Sequence, residues 1–111
     1  MSEVSALEQQ LAGLKLTVEK RDMAQRLARN PDFRKLILEE FMVNECARYV
    51  HTSSDPNVPE SGRQDALNIA QAAGHLKRFL SVMIQMGNSA ADTLGDVEAA
   101  LDEARAEEGD A

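Results

Sequence analysis

Near the N-terminus apolar residues recur at Leu7, Leu11, Leu14 and Val18, spaced four, three and four apart. This spacing puts them on one side of an α-helix and matches a coiled-coil seam. Arg21 and Gln25 come next in the same register, so the seam is read as ending there. Leu16, Met23 and Leu27 shift the apolar face further along, and the pattern predicts a first helix over residues 5–28. Asn30-Pro31-Asp32 then punctuates the chain. Asn30 suits a helix cap, Pro31 the first helical position and Asp32 the positive helix end. A second helix is predicted to about residue 51. Phe33, Leu36, Ile37, Phe41, Val43, Cys46, Ala47 and Val50 give it a wide apolar sector and make it the expected heart of the core.

Residues 52–62 (TSSDPNVPESG) read as the one real loop, with two prolines and many turn formers. Ser61 and Gln64 resemble a capping box for a third helix running to about residue 86. Along that helix Ile69, Ala72, Leu76, Phe79, Met83 and Met86 make the stronger apolar stripe. The stretch Ala70-Gln71-Ala72-Ala73-Gly74 offers close approach to a partner, the usual compensation for a mid-helix glycine. Gly87-Asn88 reads as a C-cap and Ser89 as a fresh N-cap. A fourth helix would follow, with Leu94, Val97, Leu101 and Ala104 on one side and fraying expected after residue 106. The expected fold is therefore all-α: four helices around a central antiparallel helical hairpin, with the terminal helices available for packing or oligomerisation. The domain boundaries are a single helical domain over 1–94 and an acidic helix end or tail over 95–111.

Composition supports helix. Aromatic residues are only 4% of the 111 residues, and alanine, leucine, glutamate and arginine are abundant. Charge is uneven. The net charge is -7, of which residues 95–111 hold seven acids against Arg105 alone, while residues 1–94 are nearly neutral. Phosphate binding needs basic charge, so this balance argues against nucleic acid as the main partner. No apolar run approaches the roughly 18 residues of a bilayer span, and no membrane association is expected. The N-terminus has neither the basic region nor the apolar core of a signal peptide. Cys46 is alone, which excludes an internal disulfide. A cytoplasmic location is the default that follows.

Chemistry-bearing constellations are sparse. Cys46, His51 and His75 lack the close ligand pairs of a zinc site, and no Glu-x-x-His pair suits a di-metal bundle. There is no Gly-x-Ser-x-Gly, no phosphate loop, and Glu39-Glu40 diverge on a helix. No enzyme activity and no cofactor are expected. One basic cluster gathers Lys20, Arg21, Arg26, Arg29, Arg34 and Lys35. It reads as a solvated, salt-bridged corner, as a docking patch for an acidic partner, or as a nucleic-acid contact lacking stacking aromatics. A closed four-helix monomer and a self-associating chain both fit the helix pattern. The seam-like first helix favours self-association through Leu7, Leu11, Leu14 and Val18, because small chains often complete their cores by oligomerising.

The stretch from Leu27 to Phe41 (LARNPDFRKLILEEF) resembles small helical proteins of tailed bacteriophages. The later helix from Ile69 to Met86 and the acidic end from Glu98 to Glu108 extend the resemblance over residues 20–108. It implies a small phage factor encoded near head and tail genes, with no catalytic signature. The function it implies is a non-enzymatic structural or assembly protein, a homo-oligomer in virion morphogenesis, located in host cytoplasm or virion. The alternative is a module that binds and inhibits a host protein, its acidic tail resembling nucleic acid.

Overall fold

A computed structural model describes residues 2–110 of the chain, and for Asp110 only the backbone. Among these residues there are three helices and no strand. The first is α1 (Glu3–Arg29). The second is a composite: α2 (Pro31–Phe33), a π-helical stretch (Arg34–Glu45) and α3 (Cys46–Ser53) follow one another without a break. The third is α4 (Glu60–Asp110), 51 residues long. The fold is all-α as expected, but with three helices where four were expected.

The difference lies at Gly87-Asn88, the expected C-cap. An αL cap needs a left-handed residue. No described glycine has positive φ, and Gly87 sits inside the helix, buried. Its role is its size, since a Cβ there would collide with the Arg21 side chain. The expected capping box is also not used: α4 starts at Glu60, and Gln64 Nε2 donates instead to Asn68 Oδ1 at 3.0 Å. At its other end α4 stays helical through Asp110, past the residue where fraying was expected.

The Asn30 junction follows the sequence reading. Asn30 is extended, at φ -65° and ψ 123°, and its Oδ1 accepts from the backbone N–H of Asp32 and of Phe33 at 2.9 and 3.1 Å. Pro31 occupies the first helical turn. Asn30→Ala should cost about 1 kcal/mol, the usual value of such a cap, and lower the thermal midpoint by several degrees. A melt followed by circular dichroism checks this; an unchanged midpoint would mean the junction is held by other contacts.

The chain divides into two compact units, Met1–Gln25 with Val82–Ala111, and Arg26–Ser81. In the first unit, Arg105 Nη2 donates to Glu8 Oε1 at 3.1 Å and Arg21 Nη1 to Asn88 Oδ1 at 3.2 Å. Low numbers on α1 thus meet high numbers on α4, and the two stretches run antiparallel. The half-buried row on α1 is Val4, Leu7, Leu11, Leu14, Val18, Arg21 and Gln25. Facing it, Gly87, Ala90, Val97, Leu101 and Ala104 are buried and Leu94 half-buried. Both rows alternate steps of three and four, the spacing of knobs packed into holes.

In the second unit the buried side chains on α4 are Ala66, Ala70 and Ala73. Cys46 Sγ on α3 donates to the Ala70 carbonyl at 3.7 Å, so the alanine row gives the close approach the sequence suggested. Gly74 takes no part in it, since a Cβ there would meet nothing within 4 Å. The composite helix is not the heart of a core: none of its residues is buried. Leu36 is 65% and Val43 62% exposed. The π-helical stretch supplies the reason. The Cys46 N–H donates to the Phe41 carbonyl, five residues back. Closing each turn with an extra residue lengthens the repeat beyond that of an α-helix. The half-buried row accordingly steps through Phe33, Ile37, Met42 and Cys46, at four to five residues. An α-period places Leu36 and Val43 on the covered side; the longer period turns them outward.

Candidate interaction surfaces

The expected seam residues Leu7, Leu11, Leu14 and Val18 all lie in the half-buried row of α1. Two helices cover each other on one side only, so these side chains stay partly open. A groove of about 440 Å³ marks the open side within this unit, lined by Leu14, Thr17, Met86, Ser89, Ala90 and Thr93 among others.

Arg21 continues the seam where the sequence alone ends it. A Cβ built on Gly87 would lie against Arg21 Cβ, 2.7 Å from its Cγ and 2.9 Å from its Cδ. The missing side chain at Gly87 is the hole that receives the aliphatic stem of Arg21. The guanidinium reaches past it to polar partners, with Nε donating to Asp22 Oδ1 at 3.1 Å as well as the bond to Asn88. A long cationic side chain can thus fill a seam position by burying its methylenes and leaving its head polar. Gly87 across from Arg21 is the signal in the sequence that could have extended the seam.

Lys20 shares the first unit with Arg21 and is exposed. In the second unit Lys35 Nζ lies 3.2 Å from Glu40 Oε1 and 3.4 Å from Glu39 Oε2. Glu40 and then Glu39 raise the Lys35 ammonium above its ordinary value, and Lys35 with Asn44 lowers the Glu40 carboxyl. Arg26, Arg29 and Arg34 are exposed and make no ion pair among the described residues. Such exposed charges are weak contributors to stability and remain available to solvent or to an acidic partner.

Cys46 is half-buried against α4, and His51 and His75 are exposed. Among the described residues no three His, Cys, Asp or Glu side chains gather as a metal ion would require. No described helix is long and apolar enough to cross a membrane.

The surface that sequence reading misplaced is on α4 in the second unit. Ile69, Ala72, Leu76 and Phe79, the expected packing stripe, are all exposed, Phe79 at 58%. They lie about 100° around the helix from the alanine row that meets the composite helix. Both rows have helical spacing, and side-chain size decides between them: alanines let the backbones approach closely, and the larger side chains are left on the flank. No family model, curated protein or solved structure matches this chain.

Proposed function

We propose that the protein is a non-enzymatic structural or assembly protein that works as a homo-oligomer, packing helix faces of one copy onto those of another. The observation that carries this reading is the smallness of the core. Six of the eight buried apolar residues among those described are alanines, and no large side chain is fully buried. Small helical chains with so little buried apolar area are commonly completed by association.

Leu7, Leu11, Leu14 and Val18 enter this proposal as an association seam. A second copy would cover the side that α4 leaves open, and two such helix pairs face to face would make a four-helix arrangement. The finer architecture expected from sequence, a central antiparallel hairpin with terminal helices packed around it, is likewise proposed for the assembled state. Phage virion morphogenesis, in host cytoplasm or virion, is the setting proposed from the sequence resemblance over residues 20–108.

Self-association makes stability depend on concentration. The thermal midpoint should rise by several degrees between about 2 and 200 μM protein. A midpoint constant over that range would contradict the reading.

A second reading has its own observation. Asp96, Glu98, Asp102, Glu103, Glu107 and Glu108 are all exposed on ordered helix, with Arg105 the one base among them. This acidic stretch suits a module that inhibits a host protein by resembling nucleic acid. Deleting residues 96–111 would also remove buried Val97, Leu101 and Ala104, so neutralisation is the cleaner test. Changing Asp102, Glu103, Glu107 and Glu108 to their amides should abolish inhibition while leaving the fold; retained inhibition would rule the reading out.

A further inference from the structure

We propose that the stretch Arg34–Glu45 is a register switch: its turns close on the fifth residue in one form and on the fourth in another, and the Lys35–Glu40 ion pair latches the first form. The switch lies within the second unit and needs no second copy of the chain.

Three observations point to it. First, the apolar side chains and the backbone keep different periods. The composite helix leaves Leu36, Val43 and Val50 exposed, at 65%, 62% and 49%. They are spaced seven apart. In a continuous α-helix they would fall within about 40° of one another and about 80° of Cys46, the residue that touches α4. The half-buried row Phe33, Ile37, Met42 and Cys46 instead takes roughly 4.3 residues per turn, which sets Leu36 and Val43 about 140° apart. An α register would gather side chains that the π register scatters.

Second, the segment is built to turn. Changing its period rotates one end against the other by roughly half a turn. Joints lie at both ends to absorb this. Asn30 is the single non-helical residue before α2, and residues 54–59 lie outside any helix after α3. No residue of the composite helix is buried, so the rotation pulls none of its side chains out of a core. Most π-helices are single turns within α-helices and sit at functional sites. A run of 12 residues between two α-helical segments is a long stretch of the rarer form, with the commoner one beside it.

Third, one ion pair distinguishes the two registers. Lys35 Nζ lies 3.2 Å from Glu40 Oε1, five residues on, and 3.4 Å from Glu39 Oε2, four residues on. In an α-helix side chains four apart are neighbours, whereas those five apart diverge by about 140°. Glu39 can therefore serve Lys35 in either register. Glu40 serves it only where turns close on the fifth residue. An exposed pair is a weak contact, so it biases a near balance and does not enforce one form.

The experiment places spin labels on the full chain at Arg34→Cys and His51→Cys, two exposed positions on either side of the latch. Cys46→Ser removes the native thiol and keeps a donor for the Ala70 carbonyl. Double electron–electron resonance reads the distance between labels. The π register gives one distance, and the α register, rotated by roughly half a turn, gives another. Glu40→Ala removes the latch and should raise the ratio of α-register to π-register chains by about two- to fivefold. Glu39→Ala should not raise it, because Lys35 then keeps only the partner that the π register offers. Alanine is a good helix former, so circular dichroism should show the full helical signal in both variants. A single distance, the same with and without Glu40, would overturn the switch. Two distances whose ratio rises equally in Glu39→Ala and Glu40→Ala would overturn the latch.

Discussion

Leu101→Ala should destabilise the protein by about 2–5 kcal/mol and lower the thermal midpoint by ten degrees or more. Leu101 is the largest buried side chain among the described residues, at 3% exposure. Its neighbours in the row are Val97 and Ala104, so little else can fill the space it leaves. Where a core consists mainly of alanines, one leucine carries a large share of the apolar burial, and truncating it leaves a cavity the surroundings fill only in part. A circular-dichroism melt of the variant decides the matter. A midpoint within two degrees of wild type would show that residues 82–110 do not pack on α1 as described. By contrast, Leu36→Ala should change little, because Leu36 is 65% exposed.

Gly87→Ala should be destabilising by about 1–3 kcal/mol, against the sign that helix propensity alone gives. In an open helix, alanine in place of glycine stabilises by about 1 kcal/mol. Gly74 and Gly95 are such positions, since a Cβ at either meets nothing within 4 Å, and their alanine variants should be stabilised. At Gly87 the added methyl collides with the stem of Arg21, at the backbone-proximal Cβ as well as at Cγ and Cδ. The collision at Cβ cannot be relieved by rotating the side chain, so α1 must move. Chemical denaturation of Gly87→Ala, Arg21→Gly and the double variant forms a thermodynamic cycle. Moving the small residue from one helix to the other should recover at least 1 kcal/mol relative to the sum of the single changes. Additive effects would mean that Arg21 and Gly87 do not share one space.

These two sites also show what the sequence made legible. The row Leu94, Val97, Leu101 and Ala104 was readable because its period belongs to a regular α-helix that packs on one neighbour. The Asn30-Pro31-Asp32 junction was readable because capping chemistry is local and needs no partner. The break at Gly87-Asn88 was misread for a specific reason. A glycine can end a helix or admit a neighbouring side chain, and the choice depends on Arg21, 66 residues earlier in the chain. The composite helix was misread because the apolar pattern was projected on the wrong period. Leu36 and Val43 share a face with Phe33 and Ile37 only if turns close on the fourth residue, and between Arg34 and Glu45 they close on the fifth. On α4 two rows compete, and hydrophobicity favoured Ile69, Leu76 and Phe79. The structure packs the alanines, because close approach of two backbones needs small side chains more than it needs large apolar ones.

The most direct test of self-association is the solution mass of the full chain, by light scattering coupled to size exclusion at two loading concentrations. Self-association predicts a defined oligomer, a multiple of 12.2 kDa, holding its mass at the higher concentration. A single species of 12.2 kDa at both concentrations would contradict it.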